Sequence, residues 1–134
     1  MEVDNIFGAI DIAISGLRAQ NKQMEVITSN IANSKTTDAG KGEPYRRLEL
    51  KFKTEDDKIS GVGLDKITAD RSNFYRIYDP SNPAADEQGY VAMPNVSLIR
   101  EMTNLNLATR AYQANAAIMR RYQQMVETAL ELLR

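Results

Sequence analysis

The chain has 134 residues, a formal net charge of -1, no cysteine and no histidine. That length is one domain, or one domain split by an insertion. The charge is too small to argue, by electrostatics alone, for nucleic acid or an anionic membrane as a partner. The missing residue types exclude disulfides, thiolate or zinc-thiolate chemistry and the commonest general base and metal ligand.

The first predicted element is a helix starting at Asp4 or Asn5 as cap. Ile6, Ile10, Ala13, Leu17, Gln20, Met24, Ile27 and Ile31 recur in alternating steps of four and three. That spacing is a period of about 3.5 residues, the seam of a left-handed supercoil. Gly8 and Gly16 each cost about 1 kcal/mol in an exposed helix interior. Either the helix orders mainly against partners, or the glycines admit a close helix neighbour. The element fades near Asn33 to Lys35. Residues 34–44 (SKTTDAGKGEP) read as a mobile connector. Gly40, Lys41 and Gly42 lack the spacing of a phosphate-binding P-loop.

Between Tyr45 and Lys53 the period changes to two. Leu48, Leu50 and Phe52 alternate with Arg47, Glu49, Lys51 and Lys53, which predicts a strand with one buried and one solvated charged face. Thr54 to Gly61 is a predicted turn. Val62, Leu64 and Ile67 mark a second strand, Phe74 to Tyr78 a third and Tyr90 to Met93 a short last one. Together they predict one small antiparallel sheet of three or four strands. The DPSNP run at 79–83 is a dense turn signal. Asp86 and Glu87 fall in a polar turn and read as solvated carboxylates, not as a catalytic pair.

The last element is a long helix capped by Asn95 or Ser97, with Glu101 near its positive end. Its apolar row is Leu98, Met102, Leu105, Thr109, Tyr112, Ala116, Met119, Gln123, Val126, Leu130 and Leu133, again in steps of four and three. The two rows predict an α+β fold: two long terminal helices forming a coiled-coil hairpin, with a small antiparallel β lobe inserted between them. The segments are 1–35 (N-terminal helix), 36–93 (loop and β lobe) and 94–134 (C-terminal helix). An ordinary helical bundle is the alternative. In the predicted hairpin the rows pair within the chain, leaving Phe7, Ile14, Val26, Leu107 and Ile118 for neighbours. Gln20, Thr109 and Gln123 either fix register or face a small solvent gap.

Nothing in the sequence implies a cofactor, a metal or an enzyme. No convergent catalytic set is present, and no apolar run reaches the ~20 residues of a membrane span. The N-terminus lacks the basic and apolar regions of a secretory signal. Arg46, Arg47, Lys51 and Lys53 are interleaved with acids, which argues against nucleic acid.

The segment from Ser15 to Thr36, centred on Ser29, Asn30, Ile31, Ala32 and Asn33, resembles the N-terminal signature of bacterial flagellar rod, hook and related axial proteins. Three further blocks extend the resemblance to short proximal-rod subunits. They are Gly42 to Arg47; Tyr78 to Val96, with Gly89, Tyr90, Val91, Pro94, Asn95 and Val96; and Glu101 to Asn115, ending in Tyr112, Gln113, Ala114 and Asn115. One turn departs, with Asn82-Pro83-Ala84-Ala85 where the family often has a His-Pro-Asp-Ala type. The resemblance implies export by the flagellar type III apparatus without a cleaved Sec signal. It also implies assembly with copies of itself and other rod proteins into the periplasm-spanning drive shaft of the basal body. The export gate and basal-body rings are implied neighbours. The alternative is a soluble coiled-coil export chaperone or adaptor of a type III secretion system.

Overall fold

A computed structural model describes the backbone of residues 2–54 and 61–133, with the side chains of 8–53, 61–64 and 66–133. The element order is α1 (Glu2–Ala32), β1 (Leu48–Thr54), β2 (Val62–Ala69), β3 (Tyr75–Tyr78), β4 (Tyr90–Met93) and α2 (Leu98–Leu132). The fold is α+β, two terminal helices with a small antiparallel β region between them.

Helix α1 starts at Glu2, so Asp4 and Asn5 lie inside its first turns and are not caps. Ser97 precedes α2, and its carbonyl accepts the first helical bond from the Glu101 amide at 2.9 Å, as expected of an N-cap residue. Asn95 is not the cap, because its side chain is engaged elsewhere. The strands form two two-stranded sheets, β1 with β2 and β3 with β4, in place of the single sheet expected. In the second sheet the pairing is antiparallel, from Tyr75 opposite Met93 to Tyr78 opposite Tyr90. The predicted turn at Thr54–Gly61 lies largely outside the described residues.

The chain groups into two compact units, each drawn from several stretches of sequence. One comprises Met1–Met24, Lys51–Lys66 and Asn106–Arg134; the other comprises Glu25–Leu50 and Ile67–Leu105.

In the first unit α1 and α2 run antiparallel. The Asn115 amide lies over Gly16, and Thr109 Oγ1 donates to Met24 Sδ at 3.7 Å. A Cβ on Gly16 would come within 2.7 Å of Asn115 Nδ2, so the glycine admits the neighbouring helix at close range. Ala13, Ala19 and Ala108 are buried here, which fits small residues where two backbones approach. The Ser15 hydroxyl donates to the Ile12 carbonyl at 2.8 Å and accepts from the Val62 amide at 3.1 Å, tying the start of β2 to α1.

In the second unit Val26, Ile27, Val91, Pro94 and Val96 are buried. Val26, expected to await a neighbouring subunit, is therefore already covered. Gly89 has φ +81°, and a Cβ there would sit 2.9 Å from Tyr78 Cε2. It closes the tight return from the proline turn into β4.

Candidate functional site

Two features stand out, one in each unit. The second unit holds a buried polar hub. Its centre is Glu101, in the first turn of α2 and 0% exposed. A buried carboxylate is costly unless its oxygens are satisfied. Arg47 Nε donates to Oε1 at 2.7 Å, and Asn30 Nδ2 donates to Oε2 at 3.1 Å. Arg47 also pairs with Glu49, and its Nη1 lies 3.7 Å from Asp70. Burial works against the Arg47 charge, but hydrogen bonding to Glu101, the charge of Glu101 and then Glu49 outweigh it and hold the guanidinium above its usual pKa.

Asn30 uses its whole side-chain capacity. Its Nδ2 donates to Glu101 and, at 2.9 Å, to the Leu48 carbonyl. Its Oδ1 accepts from the Leu48 amide at 2.8 Å and the Tyr45 hydroxyl at 3.0 Å. One amide thus gives the first residue of β1 both bonds that a neighbouring strand would give. Asn95 bridges two segments: Oδ1 accepts from the Arg47 amide at 2.8 Å, while Nδ2 donates to the Asp70 carbonyl at 3.1 Å and to Ser72 Oγ at 2.9 Å.

The other motif residues shape local backbone. Asn33 Nδ2 donates to the Ser29 carbonyl at 2.9 Å, closing α1. Ser29 Oγ and Tyr45 Oη are 3.3 Å apart. Ile31 is half-buried and Ala32 exposed. Tyr90 packs edge-on against Tyr78, with ring centroids 5.3 Å apart. Tyr112, Gln113 and Ala114 are exposed, whereas Asn115 faces Gly16.

The sequence reading placed Arg47 on a solvated strand face and Glu101 as a helix-end charge. It missed their pairing across 54 positions. The signal available was an acid in the first helical turn together with an arginine in the only strand-like run rich in charge.

The second feature is the outer surface of α2. Of its expected row, Leu105, Thr109, Ala116 and Met119 are half-buried. Leu98, Met102, Tyr112, Gln123, Val126, Leu130 and Leu133 are exposed. Glu101, Asn104, Ala108, Ala111, Asn115 and Tyr122, each one position before a member of that row, are also sheltered, so the covered stripe takes in both sets. The row on α1 fares differently. Ala13 and Ile27 are buried, and Ile10, Leu17, Gln20, Met24 and Ile31 are half-buried. The side chains of Ile6 and Phe7 lie outside the described residues. Leu107 and Ile118, expected to be open to neighbours, are exposed.

The remaining candidates organise their own loops. Asp38 Oδ1 accepts from the amides of Gly40 at 2.7 Å and Gly42 at 3.1 Å. The loop's own carboxylate thus fills the cradle that a phosphate would need, and these two bonds hold its pKa below the ordinary range. Asp86 pairs with Arg76 and accepts from the amides of Gln88 and Tyr90, so it organises its turn. Among the described residues there is no group of acids able to hold a metal, and no helix is long and apolar enough to cross a membrane.

Two family models match the chain. "Flagella basal body rod protein" covers residues 10–39, and "Flagellar basal body rod FlgEFG protein C-terminal" covers residues 87–132. The chain is 39% identical to flagellar basal-body rod protein FlgC of Agrobacterium fabrum, over 98% of both chains. It is 36% identical to FlgC of Bacillus subtilis, over 94% of this chain and 97% of the relative. To FlgC of Salmonella typhimurium it is again 36% identical, over 98% of both.

Proposed function

The chain belongs to the FlgC family of flagellar basal-body rod proteins, and from that premise we propose that this structural rod subunit takes a place in the proximal rod and polymerises through its terminal helices. The observation that carries this reading is the apolar surface of α2. Leu130 is 62% exposed and Leu133 86% exposed in the single chain. Large side chains left open in a row are an interaction surface, not a core. Covering one such side chain is worth about 1.5–3 kcal/mol, so a row of them supports a multi-subunit contact. A contact whose rotation does not close generates an open helical array, the form a drive shaft needs.

Its neighbours are copies of itself and other rod proteins, with the flagellar type III export gate and the basal-body rings at the ends of its route. The chain reaches the periplasm-spanning rod through the flagellar type III apparatus. It performs no catalysis; its work is packing and the transmission of torque. Segments 1–35 and 94–134 form the helical core of the assembly, and 36–93 forms its outer lobe. The helix rows and the motif residues are its working residues.

The test is complementation of a strain lacking its own copy. Leu130→Glu with Leu133→Glu leaves the purified chain's melting temperature unchanged within about 2 °C, since exposed substitutions cost under about 0.5 kcal/mol. The same variant abolishes swimming and rod assembly. Normal swimming by that variant contradicts the reading.

A further inference from the structure

Strand β3 leaves one edge open. Among the described residues it pairs with β4 alone, and all of Tyr75–Tyr78 is exposed. Tyr75 stands opposite Met93 and Ile77 opposite Val91, and the Asp79 amide donates to the Gly89 carbonyl at 2.9 Å. Bonded and non-bonded positions alternate along an antiparallel ladder. Tyr75 and Ile77 therefore turn their backbone groups toward β4, while Arg76 and Tyr78 turn theirs outward. Neither the N–H nor the C=O of Arg76 or Tyr78 meets a partner on that side among the described residues.

Native sheets guard such edges, often with a charged side chain that a docking strand would have to desolvate. The one charged residue of β3 is Arg76, and it is drawn back onto its own sheet. Its guanidinium pairs with Asp86 and lies 5.2 Å from the centre of the Tyr90 ring. The exposed side chains of Tyr75, Ile77 and Tyr78 flank the edge and offer cross-strand contacts to an added strand. At its Tyr75 end the edge meets an open groove of about 440 Å³, lined in part by Ser72, Asn73, Tyr75, Asn95, Ser97 and Arg100. Arg100 is the one charged residue in the groove wall. Asp70 feels its charge, but no hydrogen bond or ion pair ties Arg100 to the described residues.

We propose that the open edge of β3 takes an extended segment of another protein as a third, antiparallel strand, with an acidic side chain near that segment's C-terminal end meeting Arg100 in the groove. Strand addition draws affinity from main-chain hydrogen bonds and selectivity from side chains at alternate positions. The outward groups of Arg76 and Tyr78 supply the first, and the groove supplies the second. An antiparallel course sets the C-terminal end of the added segment beside the start of β3, where the groove lies. The occupant is not the β3 of a second copy. The acid that would arrive with it, Asp79, is already held by the Ser81 hydroxyl at 2.7 Å, which leaves Arg100 unanswered. The edge spans about 13 Å, so the contact is weak alone. This inference goes beyond the rod-subunit reading and does not depend on it.

The test titrates the purified, isotope-labelled full-length chain with the synthetic peptide Ac-Thr-Val-Ser-Val-Thr-Glu-NH2 and follows amide shifts by NMR. The expected result is saturable shifts of the Arg76 and Tyr78 amides at millimolar peptide. The same peptide ending in glutamine binds about threefold more weakly, the scale of an exposed ion pair, and Arg100→Gln removes that difference. Arg76→Ala and Arg76→Pro lose the same side chain, but only proline lacks the outward N–H. Arg76→Pro therefore binds about fivefold more weakly than Arg76→Ala, the scale of one hydrogen bond. Unmoved Arg76 and Tyr78 amides in the unmodified chain overturn the inference whatever the variants do, and so does equal binding of the two peptides. A concentration-dependent dimer of the chain that Arg76→Pro disperses gives the edge to a second copy and overturns a foreign strand as its occupant.

Discussion

Replacing Glu101 by Gln tests the polar hub most sharply. The carboxylate accepts from two donors, Arg47 Nε and Asn30 Nδ2. A glutamine offers one accepting oxygen and places an NH2 group against the other donor, so one bond is lost and two donors face each other. The Arg47 guanidinium, 13% exposed, also loses its most buried counter-charge. Breaking a fully buried pair costs about 3–5 kcal/mol. Here Glu49 still pairs with Arg47, and Asp70 remains 3.7 Å away. The remaining charges bring the expected loss down to about 2–3 kcal/mol. For a chain of this size that is a fall of roughly 10 °C in Tm, read by far-UV circular dichroism. Hydrogen exchange at the Leu48 amide, which donates to Asn30, speeds up in parallel. Glu49→Gln is the control: its side chain is 44% exposed, and its loss costs under about 1 kcal/mol. A Tm within about 1 °C of the parent for Glu101→Gln would refute the hub as an energetic anchor.

Gly89→Ala and Gly8→Ala move stability in opposite directions. At Gly89 the positive φ and the Tyr78 ring cost about 1–3 kcal/mol. At Gly8 nothing outside the helix's own nearby backbone and the adjacent residues lies within 4 Å of the added methyl, so helix propensity contributes up to about 1 kcal/mol; urea melts of the two variants check both signs. The Asp70 carboxylate is held below its ordinary pKa by the backbone N–H and then the hydroxyl of Ser72. A depressed folded pKa gives stability that is complete above the unfolded value of about 3.9 and is lost as pH falls through the folded value. Asp70→Asn therefore flattens the acid limb of a stability-against-pH curve below about pH 4, and an unchanged limb contradicts the assignment. Gln123 is exposed, so Gln123→Leu shifts isolated-chain stability by under about 0.5 kcal/mol. If Gln123 sets register between neighbours, that variant changes rod incorporation, and normal incorporation removes the register role.

Both helices were legible because steps of four and three persist over eight or more positions. The strands were legible because Leu48, Leu50 and Phe52 shift the period to two. The division into two sheets was not, because alternation fixes a strand's faces and not its neighbour. Asp4 and Asn5 looked like caps because a polar pair precedes Ile6, yet the helix extends through them. The exposed Ile118, Met125 and Leu132 of α2 were masked because they stand immediately before Met119, Val126 and Leu133 of the expected row. A search locked to one phase assigns each adjacent pair to a single row. The hub escaped for a different reason. Glu101 and Arg47 each look solvated in their own segments, and only the fold brings them within hydrogen-bonding distance. The asparagines at 30 and 95 were visible as motif members, but the segments they bridge needed coordinates.

The measurement that bears most directly on the account is quantitative mass spectrometry of basal bodies purified from cells carrying this chain and stripped of filament and soluble protein. The account predicts this chain in that fraction at a fixed ratio to the hook protein and below it in amount. Finding it only in the soluble fraction would contradict the account and leave an export chaperone or adaptor as the better reading.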